Sequence, residues 1–343
     1  MLIEKGGVTM GKTKVVDIHV HIGGTGDSGS GCKMSPEFII SPAFAFMLLS
    51  LGATPADICD EKIRKIILDI INTSQQIDYV VLLALDYVFK DEKKIENNSH
   101  LVVPNKYIVK IKNSNPKVLF GASVHPYREK KDMIKEMNYC IKNGAVLFKW
   151  IPSSQQIDPK DKKCFPFYEK LFEEAIPLLC HTGPEHAVPT SNFDAKKYND
   201  PKRLKNALKL GVKVIAAHCA APYFTGYLEE DYFDVLMDML KKYENLYTDI
   251  SAFCVPTRIK YLERIIKEIE QESINSDKFL FGSDFPIPII DINKFKLSGI
   301  CFDLFQSEKS KGNPLDNNYT ILKEFGLPDS IFTNASKIIK LPD

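Results

Sequence analysis

His19 and His21 stand one residue apart in the run VVDIHVHIGG, a spacing that puts two imidazoles on one face of an extended strand. Such a pair can share a divalent ion, or it can be two hydrogen-bonded core histidines. Other short apolar runs end in the same kind of chemistry: LLCHTG with His181, VIAAHC with His218, FLFGSDFP with Asp284 and VLFKW with Lys149. Together these groups point to a bound divalent cation, a Lewis acid that brings the pKa of water toward neutrality. A carboxylate at Asp284 can take a proton from the attacking water and return it to the leaving group. An imidazole at His218 can stabilise the oxyanion that develops on a carbonyl carbon.

Those residues are far apart in the chain, so the fold must bring them together. Apolar runs at 15–22, 79–85, 118–124, 146–150, 177–181, 212–218, 245–250 and 278–281 alternate with segments of helical period. Asp200-Pro201 opens one helical segment and Gly211 closes it; Gly144 closes another that begins near Arg128. Near-continuous apolar strands separated by helices imply a parallel sheet covered on its outer face. The number of repeats and the absence of a linker favour a (β/α)8 TIM barrel over an open doubly wound sheet, within a single domain spanning 1–343. In a barrel the carboxyl ends of the strands meet at one mouth, where all six residues would lie. A helical insertion of about 35–76 is expected after the first strand, with helix starts at Ser35-Pro36 and Thr54-Pro55. FKDEKKIENNSHLVV is expected to be a charged, solvated loop.

Composition narrows the function further. The chain has 343 residues, 44% hydrophobic and 26% charged, with a formal net charge of +1, which excludes a wholly disordered or collagen-like chain. Near-neutrality gives no electrostatic reason to expect nucleic acid or a membrane surface as partner. A small-molecule substrate is expected instead, and a homodimer is compatible with such a barrel. The eight cysteines are scattered without a C-x-x-C pair, and the start MLIEKGGVTMGKTK has no apolar segment. Reduced thiols in a cytoplasmic protein are therefore expected.

Gly24, Gly26 and Gly29 form G-x-G-x-x-G after the first strand, but a dinucleotide site needs that loop to feed directly into a helix. Here GSGCKMSP intervenes, and Cys32 between Gly31 and Lys33 breaks a phosphate-loop pattern as well. A mobile glycine loop able to move over substrate is expected. Trp150 could stack on a substrate ring, and Glu185, His186, His125, Arg128 and Arg258 follow strands where loops carry substrate contacts. Arg128 and Arg258 could each hold a carboxylate.

The order HVH, FKW, LLCHTG, AAHC and GSDFP resembles the amidohydrolase superfamily, in its amidohydrolase-related branch of metal-dependent TIM-barrel hydrolases. The resemblance runs from about Val15 to FTNASKIIKL and implies that His19, His21, His181 and Asp284 are metal ligands. It implies that His218 either binds a second metal or polarises the substrate and its water. In some relatives the lysine matching Lys149 is carboxylated and bridges two ions; a substrate-binding amine or a Schiff-base lysine are the other roles open to it. The implied cofactor is one or two divalent ions, Zn first, with Mn, Fe or Ni also suited to these ligands. The implied activity is hydrolysis of an amide, ester or lactone. The alternatives are a non-oxidative decarboxylase of the aminocarboxymuconate-semialdehyde decarboxylase type and a non-catalytic barrel that only binds.

Overall fold

The computed structural model describes residues 13–223, 230–293 and 312–342. The absence of an apolar leader at the start of the chain and the thiol of Cys301 are expectations that lie outside the described residues.

Eight strands form one sheet: β1 (Val16–His21), β2 (Tyr79–Leu83), β3 (Val118–Ala122), β4 (Ala145–Trp150), β5 (Leu178–Cys180), β6 (Val214–Ala216), β7 (Leu246–Asp249) and β8 (Phe279–Leu280). They follow one another in chain order, and every neighbouring pair is parallel. The seam between β8 and β1 is carried by backbone bonds that run past the short last strand. Ile18 N–H donates to Phe281 O (3.2 Å), Asp284 N–H to His19 O (2.8 Å) and His21 N–H to Phe285 O (2.8 Å). The nearly closed barrel is a TIM barrel, and its seam stitches the HVH strand to the GSDFP segment.

Two apolar layers hold the strands in place. Val16, Ile18, Val81, Leu83, Leu119, Leu147, Leu179, Ile215 and Leu280 form an inner cluster, with Ile338 and Ile339 packed against it. The opposite strand faces join the larger cluster under the surrounding helices. Strict alternation would put Val16 and Ile18 on one face and His19 on the other, but β1 carries one extra residue between Asp17 and Val20 relative to β2. Such a bulge re-aims the side chains beyond it. It lets Ile18 fill the inner cluster while His19 and His21 both face the barrel mouth.

The segment between β1 and β2 departs from its expected boundaries. Helix Asp60–Thr73 buries Ile63, Ile67 and Ile71 in the main core, so it is the barrel's own first helix rather than part of an insertion. The added material is the shorter pair of helices Pro36–Ile39 and Pro42–Ser50, each opened by a serine cap and proline, with its own small cluster of Phe38, Phe44 and Leu48. Nor is 89–103 only a solvated loop: Val88–Lys90 and Lys93–Ile95 pair as a small hairpin, and Val102 and Val103 are buried. Among the described residues no helix is long and apolar enough to cross a membrane.

The glycine loop is pinned. Asp60 accepts from Gly26 N–H (3.0 Å), Ser28 N–H (3.1 Å) and the Ser28 hydroxyl (2.8 Å), while Asp27 accepts from Asp60 N–H (2.9 Å). These bonds contradict a loop free to swing over substrate, because a buried capping carboxylate satisfies the backbone donors that movement would expose.

Candidate metal centre

Three side chains from the two ends of the seam meet at the barrel mouth. Asp284 Oδ1 lies 3.3 Å from His19 Nε2 and 3.3 Å from His21 Nε2. Its other oxygen faces His218 Nδ1 at 4.0 Å. His19, His21 and Asp284 form one group whose ligand atoms lie within 4.8 Å of one another; His19, His218 and Asp249 form a second.

The proton positions follow from the partners. His19 Nδ1 is 2.8 Å from Asp249 Oδ2, and an ionised carboxylate only accepts, so Nδ1 carries the hydrogen. The lone pair on His19 Nε2 then faces Asp284 Oδ1 and the Lys149 amine, which lies 2.8 Å away. A lone pair and a carboxylate oxygen turned toward each other form an arrangement that could hold a divalent ion between them. His181 Nε2 donates to the carbonyl of Pro184 (3.1 Å), leaving its Nδ1 to accept from His218 Nε2 (3.1 Å). His218 Nδ1 in turn faces the Ser251 hydroxyl at 2.8 Å.

Burial sets the charges. It pushes His19 down to about 4 and pulls His181 and His218 down as well, so the imidazoles are neutral near pH 7. Burial also lowers the Lys149 amine, against the pull of Asp284 and Asp249. For Asp284 burial pushes upward, but His19, His218 and His21 together outweigh it and hold the carboxyl well below the usual range. Asp249 is depressed in the same way, burial being outweighed by His19, His218 and Ser251. Neutral imidazole nitrogens beside ionised carboxylates are what a divalent ion requires of its ligands, so the donor set fits the group.

The backbone at the mouth is strained. His218, Cys219 and Ala220 have φ of 61°, 49° and 51°, and Asp284 has 62°. Each such left-handed residue costs about 1–2 kcal/mol when it carries a Cβ. At Gly282 a Cβ would sit 2.9 Å from His19 Cβ and 3.2 Å from Ser251 Cβ, so only glycine admits the close approach of the segment after β8 to His19.

The expected substrate contacts are placed differently. Trp150 follows the inward Lys149 and so points outward: it is fully buried, stacks on Phe167 at 4.5 Å and donates its indole N–H to Val124 O (2.9 Å). This corrects its reading as a substrate platform. Arg128 does hold a carboxylate, but it is Asp86 of the same chain, gripped through Nε (2.8 Å) and Nη2 (2.7 Å). His125 is buried beside that pair, with Nε2 donating to Gln155 O (2.8 Å) and Nδ1 accepting from Tyr127 N–H (3.1 Å). Arg258 is buried on backbone carbonyls rather than turned to the mouth. Glu185 accepts from Ala187 N–H (2.6 Å) and Val188 N–H (2.9 Å), and its second oxygen lies 3.4 Å from His181 Nδ1. His186 is exposed in the same loop, its ring 6.3 Å from that of Tyr223.

The residue that sequence reasoning passed over is Asp249, at the end of β7. Its Oδ2 holds His19, and its Oδ1 accepts from His218 N–H (2.8 Å), Ser251 N–H (3.2 Å) and the Ser251 hydroxyl. The signal was present, since LYTDIS puts a carboxylate at a strand end as FGSDFP does. Partners of this kind fix the tautomer and direction of a metal-binding histidine. Asp249→Asn is expected to weaken divalent-ion affinity about 10–100-fold, measured by competition with a chelating dye; parental affinity would contradict the role.

With the geometry established, the comparisons agree on a family. The amidohydrolase family model matches residues 91–299, more than half of the chain, and the chain belongs to that family, whose members are typically metal-dependent. The matched range contains Lys149, His181, His218, Asp249 and Asp284. No curated protein sequence matches the chain. Among solved structures, it is similar to a probable 2-pyrone-4,6-dicarboxylic acid hydrolase from Acinetobacter baumannii (TM-score 0.55, 13% identity, covering 95% of this chain and 98% of that one). It is also similar to 5-carboxyvanillate decarboxylase from Sphingomonas paucimobilis (TM-score 0.54, 10% identity, covering 96% and 100%). A TIM-barrel protein from Bordetella bronchiseptica is a third (TM-score 0.53, 15% identity, covering 91% and 99%). At these identities the likeness is one of fold.

Proposed function

We propose that the protein is a metal-dependent hydrolase that cleaves an amide, ester or lactone at its carbonyl carbon. The observation that carries this reading is the convergence of His19 Nε2 and His21 Nε2 on one oxygen of Asp284, each at 3.3 Å, while the other oxygen is turned to His218. His19, His21 and Asp284 would hold the ion. His181 and His218, paired at 3.1 Å, and the Lys149 amine are the further donors for a fourth position or a second ion. When bound, a divalent ion supplies Lewis-acid polarisation and makes water nucleophilic near neutral pH.

The chain's own groups supply the rest. Asp284 is ionised and takes the water's proton on the oxygen turned to His218, then returns it to the leaving group. His218, neutral, polarises the carbonyl oxygen through the Nε2–H that otherwise points at His181, as negative charge develops there. Asp249 keeps the Nδ1 proton of His19 in place, so that Nε2 always presents its lone pair to the cluster.

Elemental mass spectrometry of gently purified protein gives the first test. One or two ions per chain are expected, about two if Lys149 is carboxylated and bridges them. A chain that binds no Zn, Mn, Fe or Ni after exchange would overturn the reading. A panel of esters, lactones and amides, run beside aromatic and enoic acids with carbon dioxide detection, then separates the chemistries. Carbon dioxide release without hydrolysis would replace the hydrolase with a decarboxylase.

A further inference from the structure

We infer that Arg258 is a positioning residue for His218: its buried guanidinium grips two loops at once and holds the left-handed turn that presents the His218 ring to the metal cluster. Nη2 donates to Ala221 O (2.9 Å) and Nε to Pro222 O (3.3 Å), both in the loop that follows β6. Nη1 donates to Ala252 O (3.1 Å) and Ser251 O (3.4 Å), in the loop that follows β7. The side chain is only 3% exposed, and the rings of Tyr223 and Phe253 flank it, each 5.4 Å away.

The turn needs a brace. His218, Cys219 and Ala220 are consecutive left-handed residues, and Ala252 across the gap is left-handed too, with φ of 56°. Residues with a Cβ adopt this conformation in series only when their surroundings over-determine it. The turn closes through Ala221 N–H donating to His218 O (2.9 Å), which leaves the next carbonyls, Ala221 and Pro222, turned toward those of Ser251 and Ala252. Four buried carbonyl oxygens gathered in one place require donors. A guanidinium has five N–H groups in one plane and stays charged when buried, so it can serve both loops; an ammonium on a flexible stem cannot span them in the same way.

Opposing contacts complete the clamp. Asp249 accepts the His218 N–H at 2.8 Å, and Gly183 lies so close that a Cβ there would meet the Ala220 backbone at 3.1 Å. His218 is thus anchored at its own amide and braced from beyond the turn. The consequence for turnover rests on the proposed hydrolase reading, whereas the positioning itself does not.

The test uses metal-free, full-length protein labelled with 15N-histidine, which gives ring signals for seven residues. In Arg258→Gln the two His218 ring nitrogens are expected to shift and broaden, while those of His125, buried beside Asp86, stay in place. Arg258→Lys should restore part of the parental signature. Ala220→Gly added to Arg258→Gln should return the His218 signals toward their parental positions, because glycine takes the left-handed conformation without penalty. With a substrate from the hydrolysis panel, kcat should fall about 100-fold at little change in KM, the size a displacement of about 1 Å produces.

Unchanged His218 signals in folded Arg258→Gln would overturn the inference, as would equal disturbance of His218 and His125. If Arg258→Gln does not fold, the double variant decides: a folded protein with parental His218 signals supports the brace, and one that still fails to fold overturns it. A moved His218 in a protein that binds no metal would leave the brace standing and remove the hydrolase reading alone.

Discussion

Asp284→Asn should lower turnover about 1,000-fold, within the range a positioned proton carrier contributes, while most of the bound metal and the fold remain. The two carboxylate oxygens have different tasks. Oδ1 faces both histidine nitrogens at 3.3 Å, and an amide oxygen there can still face a cation. The second oxygen, near His218, becomes an NH2 group that cannot accept a proton. The backbone is little affected, because Asp284 N–H donates to His19 O (2.8 Å) whichever side chain is present. Asparagine also tolerates the left-handed conformation at this position. The variant is assayed for hydrolysis and, in parallel, for metal per chain. Undiminished turnover would remove Asp284 from proton transfer; loss of metal together with turnover would make it chiefly a ligand.

His19→Ala should strip the site of metal and destabilise the protein as well. His19 touches Asp249 at 2.8 Å, Lys149 at 2.8 Å and Asp284 at 3.3 Å, so its removal leaves three ionisable groups without their common partner. Asp249 is fully buried and its carboxyl is held well below the usual range, so in the variant the oxygen that faced His19 Nδ1 is an ionised acceptor that has lost its donor. Leaving a buried charged acceptor without its hydrogen-bond donor costs about 1–3 kcal/mol, read as a lower urea midpoint at pH 7. The sign with pH follows from the depressed carboxyl: the pair's contribution is present above the ordinary carboxylate pKa and lost as pH falls. The gap between parent and variant should therefore narrow in acid. Placing His19→Ala in an Asp249→Asn background should recover part of the stability, since the acceptor left without a donor is then uncharged. A full complement of metal in the single variant would sink the ligand assignment.

Much of this centre could be read directly from the chain. In a parallel barrel every strand delivers its carboxyl end to the same mouth, so residues as distant as His19 and Asp284 converge once the strand periodicity is recognised. The apolar runs that form the eight strands, and the polar residue ending each chemical one, are local features. They depend on the alternation of side chains and on the hydrophobicity of a few neighbouring residues.

What stayed hidden depends on which distant groups become neighbours. The extra residue in β1 is defined only by its register against β2, yet it aims Ile18 inward and both histidines at the mouth. Arg128 and Arg258 look alike in sequence, and each could have met a substrate carboxylate. One is taken by Asp86 and the other by four carbonyls, because a cation buried by folding must find its partners inside the protein. Asp249 became visible as the holder of His19 only when β7 was set against β8 and the seam. The chain alone therefore determined which imidazole, carboxylate and amine groups stand at strand ends and the barrel that carries them. The tertiary structure decided which of those residues meet and which are already occupied, because pairing energies depend on contact distance and burial rather than on position in the sequence.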